Sequence, residues 1–88
     1  QLSKYFNSDN TIYNERDIIT KEGITVRPDR LVFNKKNEVV IIDYKTGKHD
    51  KKYAQQLQIY QDALEDMNYK VTKKLLIYAN DELEIKEV

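Results

Sequence analysis

The sequence predicts an α/β domain of the α+β class: a mixed central sheet of about five strands covered by one helix. Apolar and β-branched runs of strand length alternate with turn-forming residues along most of the chain. One segment in the second half instead shows the period of an amphipathic helix. Strands precede and follow that helix, so the sheet is expected to be mixed, and the 88 residues are predicted to form a single domain, 1–88.

The first part of the chain is predicted to contain three strands. Residues 1–6 allow the end of a helix but are too few to define one. Loose alternation predicts a strand over 11–20, and Gly23 then marks a turn. Two further strands, 24–33 and 38–46, flank a polar, turn-prone stretch and are expected to form an antiparallel hairpin.

The apolar residues of this hairpin indicate its register. Apolar side chains should share one buried face, and one alignment keeps them together. It pairs Phe33 with Val39, Leu31 with Ile41, Asp29 with Asp43, and Arg27 with Lys45. Pro28 cannot donate a ladder hydrogen bond, so an edge position, a bulge or a local break is expected just before Asp29.

Asp29 and Asp43 make this hairpin unusual. In the expected register their Cβ atoms lie roughly 4.5 to 5.5 Å apart, where like charges destabilise a ladder. Such a pair needs a shared proton or a bound cation, and Mg²⁺ prefers oxygen ligands. Lys45 points to the same side as Asp43, where it can orient water or stabilise charge on a phosphate oxygen. The alternative is an ordinary surface Asp-Lys pair on an edge strand.

The helix is predicted to begin after Asp50, a suitable N-cap, and to run to about Asn68. Two strands follow it, over 69–79 and 83–88, with Asn80-Asp81 as the turn between them. The apolar stripe of the helix recurs at spacings of four, three, four and three, at Tyr53, Leu57, Tyr60, Leu64 and Met67.

Three more residues are candidates for the same site. Gln56 and Tyr60 lie four apart on one side of the helix, where both can reach back toward the acidic pair. The alternatives are a glutamine on the rim and a tyrosine in the core. Glu15, in the first strand, is either a further metal ligand or one of several surface charges.

Composition narrows the classes of function. Lys and Arg balance Asp and Glu at 15 each, so binding to a polyanion would need local clustering. With no cysteine, disulfides, zinc fingers and iron–sulfur clusters are excluded, which agrees with a cytoplasmic protein. The longest apolar run is too short to cross a membrane, and no membrane partner is expected. The candidate basic cluster comprises Lys45, Lys48, His49, Lys51 and Lys52, and the alternative is a solvated loop.

Three motifs together resemble those of the PD-(D/E)xK nuclease superfamily. They are Arg27-Pro28-Asp29-Arg30, then Ile41-Ile42-Asp43-Tyr44-Lys45-Thr46-Gly47, then Gln56-Leu57-Gln58-Ile59-Tyr60. More narrowly, they resemble the RecB-type nuclease module at the C-terminus of some UvrD/Rep-like helicases. The resemblance covers about residues 12–79 and implies a restriction-endonuclease-like core, with the site at the splayed centre of the sheet.

The resemblance also implies roles for these residues. Asp29 and Asp43 would hold Mg²⁺ or Mn²⁺, and the Tyr44 carbonyl would be a further oxygen ligand. Lys45 would position the attacking water, while Gln56 and Tyr60 would support the site and contact DNA.

The activity implied is a DNA nuclease, more an exonuclease than an endonuclease, working in repair or recombination beside helicase domains. Relatives often carry a further His or Glu on a helix before the first strand, whereas residues 1–10 here contain no acid but Asp9. Either Glu15 replaces that residue or the missing part lies outside this chain, which is expected to be a fragment of a larger protein. The competing hypothesis is a catalytically silent, nuclease-like scaffold for DNA binding or protein docking.

Overall fold

The computed structural model describes residues 10–88, and within them the chain forms seven strands and one helix. The predicted helix end at 1–6 lies outside the described residues. The helix, α1, spans Lys51–Asp66 and connects β5 to β6. The strands are β1 Thr11–Asn14, β2 Ile18–Ile19, β3 Thr25–Val26, β4 Arg30–Phe33, β5 Glu38–Lys45, β6 Lys70–Ala79 and β7 Leu83–Glu87.

Five of these strands form one mixed sheet in the order β1-β4-β5-β6-β7. The β5–β6 pair is parallel, and the other three pairs are antiparallel. Parallel neighbours need a long crossover connection, which α1 provides. The predicted mixed sheet with one covering helix is therefore confirmed, and it agrees with a restriction-endonuclease-like fold. Strands β2 and β3 form a separate two-stranded ribbon.

Two of the predicted strands are each broken in two. The predicted strand 11–20 is interrupted at Glu15, whose φ of 50° lies in the left-handed region and ends the extended backbone. The predicted strand 24–33 is interrupted between Val26 and Arg30, around Pro28. Proline lacks an N–H for the ladder. Of the edge position, the bulge and the local break expected there, the structure shows the local break.

Strand β5 is the central strand, and its sequence explains its place. Five consecutive side chains, from Val39 to Asp43, are buried. A strand covered on both faces has no solvent side, so it shows a continuous apolar run rather than alternation. The predicted hairpin register holds along β4, where Leu31 pairs with Ile41 and Phe33 with Val39.

Helix α1 packs its apolar stripe against one face of the sheet. The Asp50 side chain accepts a hydrogen bond from the Lys52 backbone N–H at 3.0 Å, which confirms the predicted N-cap. The helix ends at Asp66, slightly before the predicted end. Met67, its C-cap, is exposed rather than part of the buried stripe.

Buried residues form a cluster on each face of the sheet. The cluster under α1 includes Ile41, Leu57 and Leu76. The cluster on the opposite face includes Ile42 and Ile77. Alternate residues of β5 and β6 enter the two clusters, as strand geometry requires. Within residues 10–88, no helix is long and apolar enough to cross a membrane.

Candidate active site

Asp43 is the only buried charged residue in the described part of the chain, and it lies near the carboxyl end of β5. Its side chain points to the same face as Ile41, beneath α1. Burial raises the pKa of its carboxyl group because it disfavours the charged form. The backbone N–H of Asp29 lowers that pKa, the charge of Asp29 raises it, and Lys45 lowers it.

Asp29 lies just before β4, and two hydrogen bonds join it to Asp43 and Tyr44 of β5. The Asp29 backbone N–H donates to Asp43 Oδ1 at 2.9 Å. In return, the Tyr44 backbone N–H donates to Asp29 Oδ2 at 2.9 Å. The structure thus brings the two acids together beyond the end of the regular ladder, which stops at the Arg30–Ile42 pair. Each carboxylate is oriented by the other strand's backbone.

Lys45 completes the group from the same strand. Its Nζ lies 3.2 Å from Asp43 Oδ2 and donates a hydrogen bond of 2.8 Å to Gln56 Oε1. The same Nζ lies 4.6 Å from the centre of the Tyr53 ring. From the sequence, Tyr53 is predicted only as a member of the apolar stripe of the helix. Its spacing of three residues from Gln56 was the signal that both belong to one helix face.

Gln56 and Tyr60 reach the site from α1. Gln56 is half-buried and contacts Lys45, so it lies over the acidic strand as expected. Tyr60 is only 4% exposed and belongs to the core cluster, yet it also faces the acids. Burial, followed by the charges of Asp43 and Asp29, raises the pKa of Tyr60 to about 12. Its hydroxyl therefore remains protonated at neutral pH.

Glu15 is not gathered into this group as a third carboxylate. It is exposed, and its contact near the site is a backbone N–H that donates to the Asp29 carbonyl at 2.9 Å. Among residues 10–88, no set of three or more His, Cys, Asp or Glu side chains is placed to hold a metal ion. The donors at the site are therefore two carboxylates. This set fits Mg²⁺, which commonly binds through one or two carboxylates and keeps several waters.

Arg27 does not pair with Lys45, and that part of the predicted register is wrong. The break at Pro28 takes Arg27 off the ladder, and its Nε donates to Asp17 Oδ1 at 2.7 Å. Arg27 instead borders an open cleft of about 410 Å³ between the β2–β3 ribbon and α1. Gln56 and Tyr60 line the same cleft, which therefore opens beside the acidic group.

The predicted basic cluster is divided. Lys48, Lys51 and Lys52 are exposed around the start of α1, where their charges face solvent. His49 is turned toward β7, because its ring stacks on Tyr78 at 4.1 Å and its Nε2 lies 3.0 Å from Glu84 Oε1.

Comparisons with known proteins agree with this architecture. The family model of the PD-(D/E)XK nuclease superfamily matches residues 4–87. A search of curated proteins gives no match. A solved structure described as the crystal structure of SSO0001 is similar in fold, with a TM-score of 0.59 and 23% sequence identity. That similarity covers 99% of this chain and 46% of the other, so this chain spans about half the length of that relative.

Proposed function

This chain belongs to the PD-(D/E)XK nuclease superfamily, and from that premise we propose that it is a metal-dependent deoxyribonuclease module that hydrolyses phosphodiester bonds. The observation that carries the proposal is the pair of reciprocal hydrogen bonds between the Asp29 and Asp43 segments, with Lys45 beside them. Two carboxylates held this close repel each other, even though each accepts a backbone hydrogen bond. A bound cation would relieve their repulsion.

The roles of the residues follow from their positions. Asp29 and Asp43 would hold Mg²⁺ or Mn²⁺, together with the Tyr44 carbonyl. When bound, the cation supplies Lewis acidity and lowers the pKa of a coordinated water. Lys45, kept close by Gln56, would orient the attacking water and stabilise charge that develops on the phosphate. The protonated Tyr60 hydroxyl can donate a hydrogen bond to the substrate but cannot act as a base at neutral pH.

Substrate contacts outside this centre are proposed for the exposed lysines. Lys48, Lys51 and Lys52 surround the start of α1, the helix that also carries Gln56, and would bind DNA phosphates. Because the His49 ring stacks on Tyr78, His49 would contribute less to DNA binding than these lysines. Glu15 would complete the metal shell only through a movement of its side chain.

The order of the motifs supports a proposal about the larger protein and the process in which this module works. The ordered Asp, Asp-x-Lys-Thr-Gly and Gln-x-x-x-Tyr elements favour a RecB-type module of a helicase-nuclease that acts in DNA repair or recombination. An exonuclease is favoured over an endonuclease on the same ground. Helicase domains of the same parent chain or complex would deliver the strand. The cysteine-free composition suits work in the cytoplasm.

Cleavage assays test the enzyme proposal directly. We expect Mg²⁺-dependent cleavage of linear single- or double-stranded DNA, with chelation abolishing it. Asp43→Ala and Lys45→Ala should each lower the rate by about 100-fold or more, because the first removes a metal ligand and the second a charge-stabilising group. Lys70→Ala, at the far end of β6, is the matched control and should leave the rate unchanged. Full activity in both site variants would remove the assignment.

The silent scaffold remains a second candidate because only two carboxylates converge in the described residues. A scaffold should bind DNA equally well with and without a divalent cation, and Asp43→Asn should not weaken that binding. The enzyme should instead be stabilised by Mn²⁺, since a ligand that binds the folded state raises its stability. A thermal melt with and without Mn²⁺ therefore separates the two candidates.

A further inference from the structure

Lys45 is held at three points, of which the superfamily motifs supply two. Asp43 and Gln56 each present an oxygen to its Nζ, at 3.2 and 2.8 Å. The third point is the face of the Tyr53 ring, with Nζ 4.6 Å from the ring centre. The Lys45 side chain is only 17% exposed, so little water competes for its ammonium group. A cation over an aromatic face at this distance is attracted by the ring, more strongly where water is excluded.

We infer that Tyr53 is a positioning residue, which holds the Lys45 ammonium group in its working place through the face of its ring. The inference rests on the proposed function and adds a residue to it. Without the ring, Lys45 would be left with two oxygen acceptors, one of them the Asp43 carboxylate on its own strand. The ammonium group would then have one contact fewer to fix its position between them.

Tyr53 is anchored in the first turn of α1, next to other aromatic rings. Its backbone N–H donates to the Asp50 carbonyl at 3.1 Å, in the first turn of α1. Its ring lies 6.4 Å from the ring of Tyr78, which is 1% exposed. His49 stacks on that same Tyr78 ring, and Glu84 holds His49. The Tyr53 ring thus lies next to the stacked rings of Tyr78 and His49.

The effect of a lost ring differs from that of a lost core residue. Displacement of Lys45 weakens an interaction with the reacting phosphate, so it should lower kcat more than it changes KM. A fault in packing alone should instead lower the melting temperature and leave the kinetics of the folded fraction intact. Tyr53→Phe keeps the ring face, and Tyr53→Leu keeps apolar volume without it.

A double-mutant cycle on the whole chain tests this inference. Tyr53→Leu should lower kcat roughly tenfold, with KM changed by no more than about twofold, whereas Tyr53→Phe should retain the wild-type kcat. In a Lys45→Ala background, Tyr53→Leu should cause no further loss, because the residue it positions is gone. Tyr69→Leu is the matched control, since Tyr69 is also half-buried against the same core cluster but lies immediately before β6.

The inference would be overturned by a normal kcat in Tyr53→Leu, by an equal loss in Tyr69→Leu, or by an undiminished loss in the Lys45→Ala background. A loss in Tyr53→Phe as large as in Tyr53→Leu would also overturn it, because the hydroxyl rather than the ring face would then be responsible.

A nuclear magnetic resonance readout keeps the inference separate from the proposed function. Protons above the face of an aromatic ring resonate upfield, so the side-chain methylene nearest the Lys45 ammonium should be shifted in ¹³C-lysine-labelled protein. The Lys45→Ala spectrum assigns the signal. The shift should persist in Tyr53→Phe and vanish in Tyr53→Leu. If the wild-type chain cuts no DNA yet shows this pattern, the proposed function fails and the contact stands; absence of the shift in wild type overturns the inference.

Discussion

At the scale of single residues, the candidate site contains a buried carboxyl group, and burial disfavours its charged form. Asp43 is 2% exposed, and burial raises the pKa of its carboxyl group. The nearby charge of Asp29 raises that pKa further, while the backbone N–H of Asp29 and the ammonium of Lys45 oppose the rise. A residue kept in such a place is better explained by what it binds than by what it packs against.

The hydrogen bond to Asp43 gives a prediction about stability. Asp43→Ala leaves the Asp29 backbone N–H without its acceptor, whereas the amide oxygen of Asp43→Asn can still accept from it. An unsatisfied, part-buried donor costs about 1–3 kcal/mol, so Asp43→Ala should be less stable than Asp43→Asn by about that amount. Chemical denaturation of both metal-free variants measures the difference. Equal free energies of unfolding would contradict the described bond.

Contacts between single side chains are only partly predictable from the sequence. Pairing of apolar residues predicted that Asp29 would face Asp43, because one register alone keeps Leu31 opposite Ile41. The contact of Tyr53 with Lys45 could not be predicted in the same way. It joins two elements whose relative placement depends on the packing of α1 on the sheet, and periodicity alone does not give that placement.

At the scale of elements, β5 and α1 together assemble the site. The strand supplies Asp43 and Lys45, and the helix supplies Gln56 and Tyr60. The short loop after β5 fixes where the helix begins. Gly47 in this loop has a φ of 84°, and it exchanges two hydrogen bonds with the Asn80 side chain, which ties the loop to the end of β6.

The start of α1 gives a second prediction. Asp50→Ala removes the side chain that accepts from the Lys52 N–H, and loss of an N-cap typically costs about 1 kcal/mol. Asp50→Asn retains a capping oxygen and is the matched control, with stability close to that of the wild type. Urea unfolding curves of the three proteins measure this. If Asp50→Ala were as stable as Asp50→Asn, the cap would have no energetic role.

Sequence patterns predict the helix and the strands better than the breaks within the predicted strands. The helical period and the apolar run of β5 are strong signals, and the structure has both elements within a few residues of the prediction. The break at Glu15 cannot be predicted from the sequence, because nothing in the residue types marks a positive φ there. The break at Pro28 was foreseen as one of three outcomes, since proline restricts the ladder without specifying how.

At the scale of the whole molecule, a small mixed sheet carries the site at one end of its parallel pair. The chain has no net charge, so any DNA affinity must come from local groups and from a bound cation rather than from the overall field. The fold similarity to the solved relative covers 99% of this chain and 46% of the other.

The most direct measurement is the anomalous scattering of Mn²⁺ in crystals of this chain. If Asp29 and Asp43 form a metal centre, an anomalous peak should lie within about 2.0–2.3 Å of both carboxylates, as for a hard divalent ion on oxygen ligands. The Asp43→Asn variant, grown and soaked in the same way, should show no peak there. A wild-type map with no peak between these two carboxylates, or with Mn²⁺ bound only elsewhere, would contradict the claim that they form a metal centre.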